Sequence, residues 1–102
     1  NDYATMTDCE NKAGGVPNLY YTNAYTAGGM TTRTDFNLDS TAHQPGSVVY
    51  VLNTGVYNGT ALSESITAKC NGCALCEILP CAGKLFFFSG LDTSGLPVWY
   101  PV

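Results

Sequence analysis

The sequence predicts an all-β chain, a small antiparallel sandwich or barrel of about six to seven strands with a cysteine-rich loop. Three observations carry this reading. Turn-forming pairs recur about every ten residues, the rhythm of short strands in a sandwich or barrel. Polarity comes from Thr, Ser, Asn and Gly, and charged residues make up only 12% of the chain. That is about half the usual share, and it suits sheet faces and turns better than surface helices. Seven Tyr, four Phe and one Trp supply the bulk that a β core needs. At 102 residues the chain makes one domain, 1–102, with one modest core.

The turns fall at Gly14-Gly15, Gly28-Gly29, Gln44-Pro45-Gly46, Asn58-Gly59, Asn71-Gly72 and Ser89-Gly90. Between them lie six strand candidates. Residues 18–26 are rich in Tyr. In 31–38, Phe36 and Leu38 share one face. Residues 47–52 are continuously apolar, which predicts burial on both faces. Residues 60–68 read as strand because Thr, Ser and Ile outweigh the weak helix signal there. Residues 84–89 form the fifth candidate, and 96–101 read as an edge strand because of their prolines. Helix signals are weak throughout. The firmest local expectation is a type I′ hairpin at Asn58-Gly59, since both residues tolerate positive φ. That register sets Tyr57 opposite Thr60 and Val51 opposite Ile66.

Four of the five cysteines, Cys70, Cys73, Cys76 and Cys81, fall within twelve residues, and Cys9 stands apart. The main expectation is disulfides within the 70–81 run, joined by Cys9. A bridge from Cys9 would close a long loop and add about 4 kcal/mol in the chain-entropy account. An odd count leaves one thiol over, or pairs it between chains, and connectivity stays open. The Asn71-Gly72 turn is suited to bringing Cys70 near Cys73. A metal site on Cys70, Cys73, Cys76 and Cys81 competes, because C-x2-C-x2-C resembles a ferredoxin run. The final spacing and the place of Pro80 depart from that pattern, and zinc sites normally draw two pairs from separate turns. Free buried thiols acting as small hydrophobes are the third reading. No cofactor is expected.

Catalytic chemistry lacks a credible constellation. His43, the sole histidine, lies in a polar run ending in a turn and reads as an exposed loop residue. Asp35 and Asp39, four apart on a strand, would stand roughly 13 Å from each other, too far for paired-carboxylate hydrolysis. Asp2, Asp8 and Glu10 make an acidic patch without a calcium-loop pattern. Asp92 to Gly95 reads as a plain turn. Asn58-Gly59-Thr60 is both a glycosylation sequon and the best turn in the chain. These points argue against an enzyme.

Composition also limits partners. Lys12, Arg33, Lys69 and Lys84 are scattered, so no cationic patch exists for nucleic acid. The apolar runs 48–52 and 85–88 are far short of the roughly 20 residues of a spanning helix, so membrane insertion is not expected. A start at Asn1 fits a processed precursor and a trimmed piece equally.

The texture is similar to that of virion and extracellular-filament subunits, and of small secreted effectors. The leading expectation is a non-enzymatic structural subunit that self-associates in a virion or extracellular filament. The alternatives are a secreted, disulfide-stapled binding module (effector, toxin or carbohydrate binder) and a small Fe–S or zinc protein. Self-association is expected through the C-terminal third. If Phe86 and Phe88 face the core, Leu85 and Phe87 face away, and a contiguous apolar face needs a cover. Phe87, Trp99 and Tyr100 are the expected interface, with the 97–102 segment acting as an extended arm. The expected location is extracellular or on a virion surface.

Overall fold

The computed structural model describes residues 4–25 and 33–102. The Gly28-Gly29 turn, Asp2 and parts of the first two strand candidates lie outside the described residues. Within them the chain is mostly β, with nine strands and one short helix.

The helix α1, Met6–Ala13, is the element the sequence reading missed. Its ends explain it. Thr5 is extended and accepts a hydrogen bond from the Asp8 amide at 3.0 Å, an N-cap. Gly14 takes the left-handed conformation (φ 73°), and its amide donates to the Glu10 carbonyl. Asp8 in the first turn and Lys12 in the last suit the helix dipole. Met6 and Cys9, three residues apart, are its buried residues.

One sheet runs β1-β3-β8-β9, formed by Leu19–Thr22, Val48–Asn53, Ala82–Leu91 and Pro97–Pro101. The second runs β2-β6-β7, formed by Asp35–Asn37, Ile66–Cys70 and Cys73–Ile78. A two-stranded hairpin, β4 (Val56–Tyr57) and β5 (Thr60–Ala61), completes the set. Both larger sheets are mixed. β1 lies parallel to β3 and β2 parallel to β6, while the other pairs are antiparallel.

The inner faces share one core. Tyr20, Val49, Val51, Phe86, Phe88 and Trp99 come from the first sheet; Phe36, Ile66, Ala68 and Ile78 come from the second; Met6 and Cys9 come from α1. Asn53, fully buried at the end of β3, ties several strands together. Its Nδ2 donates to the Ile78 carbonyl at 3.1 Å and the Glu64 carbonyl at 3.3 Å, and its Oδ1 accepts from the Gly55 amide at 3.2 Å.

Several expectations are corrected. The Asn58-Gly59 hairpin forms, with Tyr57 opposite Thr60, but it is only two residues deep. Val51 pairs with Tyr20 and Lys84, and Ile66 with Ile78, so they do not face each other. β3 is not buried on both faces. Val48 and Tyr50 are exposed, alternating with buried Val49 and Val51. Residues 60–68 split into β5 and β6. Ser89-Gly90 is a bulge within β8 rather than a turn. The cysteine run is a hairpin rather than a loop: β6 and β7 meet at Asn71-Gly72, with φ of 52° and 82°. The edge position of β9 is as expected, but Trp99 is 1% exposed and packs at a tilt against Phe88, with ring centres 4.7 Å apart. Residues 97–101 are therefore the edge strand of the protein's own sheet, with Pro97 and Trp99 buried and Tyr100 and Pro101 exposed, rather than a free arm.

Candidate functional site

Three constellations concentrate chemistry. The first surrounds His43. Its side chain is 4% exposed, which overturns the reading of an exposed loop histidine. Trp99 covers it edge-on at 5.3 Å between ring centres, and the indole Nε1 donates to the Ser40 carbonyl in the same segment at 3.2 Å. The Tyr20 hydroxyl stands between two partners, donating to Glu10 Oε2 at 2.6 Å and meeting His43 Nε2 at 2.7 Å. A hydroxyl has one proton to give. With that proton donated in the hydrogen bond to Glu10, His43 Nε2 carries its own proton and donates to the tyrosine oxygen. Burial, then the Glu10 carboxylate, raises the Tyr20 hydroxyl well above the ordinary phenol range, so it stays protonated. Burial lowers the His43 pKa, opposed by the nearby Glu10 charge.

This network joins helix α1, strand β1 and the 40–46 segment. One hollow of about 280 Å³ lies beside Tyr25 and Tyr57, whose rings stack at 4.1 Å. Another lies near Asp39, Asn71 and Leu96. Neither is lined by His43. The link of Tyr20 and Glu10 to His43 is not legible in the sequence, because only the fold brings the three together. Asp35 and Asp39 do not form a pair on one strand, since β2 ends at Asn37. Asp39 instead accepts from the Thr7 amide at 3.0 Å. Asp92 does shape a turn, its Oδ1 accepting from the Ser94 and Leu96 amides.

The second constellation is the cysteines. All five are thiols in this structure. Cys9 is buried on α1, 3.7 Å from the Tyr21 carbonyl, and its pKa is pushed up to about 11, chiefly by burial. Cys70 is buried at the end of β6, its Sγ 3.4 Å from the Pro97 carbonyl, and burial raises it too. Cys73 is exposed, directly across the turn from Cys70. Cys76, half-buried and raised by burial, faces Ala68. Cys81 is exposed in the turn that leads into β8. Among the described residues no group of three or more His, Cys, Asp or Glu is placed to hold a metal ion. The metal set Cys70, Cys73, Cys76 and Cys81 is thus not assembled.

The third is the outer face of the β1-β3-β8-β9 sheet. Its rows follow from register. Leu19 faces Tyr50, Tyr50 faces Leu85, and the Val102 amide donates to the Leu85 carbonyl, so one apolar row crosses the sheet. A second row holds Val48, Phe87 and Tyr100. The third holds Tyr21, Leu52 and Gly83. Gly83 has a packing role: a Cβ there would sit 2.1 Å from the Tyr50 ring, so the ring lies flat on the glycine. Phe87 (37% exposed) and Tyr100 (52%) occupy this face as expected, whereas Trp99 does not. Leu19, Tyr21, Val48 and Tyr50 were not anticipated; the alternation of 48–52 was there to find but was masked by uniform apolarity. Asn58 is exposed at its turn with φ 47°, so the sequon is accessible.

The fold defines a small all-β protein of two mixed sheets around one core. No family model, curated protein or solved structure matches the chain.

Proposed function

We propose that this protein is a non-enzymatic structural subunit that associates with copies of itself through the outer face of its four-stranded sheet. One observation carries the reading: three adjacent rows of uncharged, largely apolar side chains lie open on that face. Monomeric surfaces scatter such residues singly, and contiguous patches mark contacts. Size supports a second copy as the occupant. Eight residues (Leu19, Tyr21, Val48, Tyr50, Leu85, Phe87, Tyr100 and Val102) are each exposed by 37–64%. At about 170 Å² per side chain for this mix of aliphatic and aromatic residues, they offer roughly 600 Å². Two such faces reach the lower edge of a specific interface, about 1,200 Å² in total. The lack of charge on these rows also suits a like surface, because two copies meet without repulsion and without burying unpaired ions. The scarcity of charge in the whole chain supports a place in an extracellular or virion-surface assembly.

Sedimentation equilibrium from about 1 to 100 µM tests this. The wild type should self-associate, and Leu85→Glu should be monomeric with an unchanged circular dichroism spectrum. A monomeric wild type across that range refutes the proposal. The secreted binding module is the second reading. It is favoured by the Tyr25–Tyr57 stack, whose adjoining hollow suits a flat ligand such as a sugar ring. A monomer that binds oligosaccharide, and loses binding in Tyr57→Ala, would put that reading first.

A further inference from the structure

We infer that Cys70 and Cys73 are a thiol pair that closes to a disulfide across the Asn71-Gly72 turn on reaction with a small-molecule disulfide. The inference does not depend on the assembly reading. The two residues are direct partners in the β6–β7 ladder, so they project to the same face of the sheet. Directly opposed residues of an antiparallel pair have Cα atoms about 4.5–5.5 Å apart. A disulfide accepts about 4.4–6.8 Å. The turn between them holds positive φ at both positions, so the register is fixed before the bond forms.

Register also removes the competing pairs. Cys73 and Cys76 lie three residues apart on one strand, roughly 10 Å along it. Cys76 faces Ala68 and lies on the far side of the ladder's register shift from Cys70, three residues beyond Cys70's own partner Cys73. Cys81 lies beyond the far end of β7, and the Cys9 thiol is directed at the Tyr21 carbonyl.

The chemistry balances as thiol–disulfide exchange. Exposed Cys73, as thiolate, attacks a disulfide RSSR, forming Cys73–SR and releasing one RSH after proton uptake. Cys70 then swings from the Pro97 carbonyl, loses its proton, and displaces the second RSH. The protein loses two hydrogens and RSSR gains two. Asn71 Nδ2 still donates to the Pro97 carbonyl at 2.9 Å, so the hairpin tip keeps its anchor on β9. The loop closed has only two intervening residues, which constrains the unfolded chain little and keeps the bond reducible.

The test treats the native protein with excess oxidised glutathione and reads intact mass without denaturing reductant. The wild type and Cys76→Ser should become two hydrogens lighter. Cys73→Ser, an exposed change that spares the core, should lose no hydrogens in this way. Dithiothreitol should reverse the wild-type shift. The proposal is overturned if the two-hydrogen loss survives in Cys73→Ser, or if the wild type only accumulates glutathione adducts.

Discussion

Tyr20→Phe removes one oxygen and leaves the packing of a fully buried ring unchanged. The loss is a short hydrogen bond to the Glu10 carboxylate and a second with His43. The first type contributes about 1.5–3 kcal/mol and the second about 0.5–1.5 kcal/mol. His43 Nε2 and Glu10 Oε2 already stand 3.9 Å apart and can draw together, offsetting part of the loss. The expected cost is about 2–3 kcal/mol, or roughly 10–20 °C in Tm for a domain of this size. Acid adds a second signature. The folded pKa of His43 lies below its ordinary 6.5, so the folded state prefers the neutral ring. This contribution is complete above about pH 6.5 and is lost as pH falls through the folded pKa. His43 is the sole histidine, so it dominates side-chain titration between about pH 5 and 7. Urea melts followed by Trp99 fluorescence, repeated across that range, should show wild-type stability falling on acidification. In Tyr20→Phe, Glu10 faces the imidazole directly, and the slope should flatten or reverse. A Tyr20→Phe cost under about 1 kcal/mol, or an unchanged slope in His43→Gln, would refute this account.

Asn53→Ala should cost about 2–4 kcal/mol in urea, because two carbonyls and one amide lose their partner in a buried site. A cost below about 1 kcal/mol would mean that water or rearrangement satisfies them. Thr5→Ala should lower stability by about 1 kcal/mol through loss of the N-cap, read as a fall in urea midpoint at constant m. Gly59→Val should cost roughly 1 kcal/mol or more at φ 79°, although open space surrounds it. Gly83→Ala should lift the Tyr50 ring off the sheet and weaken self-association in sedimentation while the domain stays folded.

Local features were legible in the sequence and non-local ones were not. The Asn58-Gly59 turn was readable because two adjacent residues determine it. The partner of Val51 was not, because β3 is flanked by strands that start at Leu19 and Ala82. β7 was hidden by its cysteines and by a register shift opposite Ala68/Lys69 that breaks the alternation of the ladder. Gly90 signals a turn by composition, yet the bulge there and the nearness of Pro45 determine its role. Helix α1 carried both of its end signals, Thr5 and Gly14, but only two buried residues between them, too few for a periodic pattern. The outward direction of Phe87 followed from the pleat alone. The burial of His43 could not be read, because its covers, Tyr20 and Trp99, lie far away in the chain.

The two parallel pairings bear on the order of events during synthesis. β1 finds its neighbour in β3 and β2 finds its neighbour in β6, each about thirty residues later, with the two connections overlapping in sequence. The β6–β7 and β8–β9 hairpins, by contrast, close over short turns. Loop closure favours the short contacts first. β1 therefore waits for β3, β2 waits for β6, and β3 gains its second neighbour only when β8 has emerged; Trp99 follows the other residues of the core cluster. A nascent chain of this protein should resist compaction until β9 clears the ribosome. Removing residues 97–102 should leave an unfolded, protease-sensitive chain rather than a shortened domain.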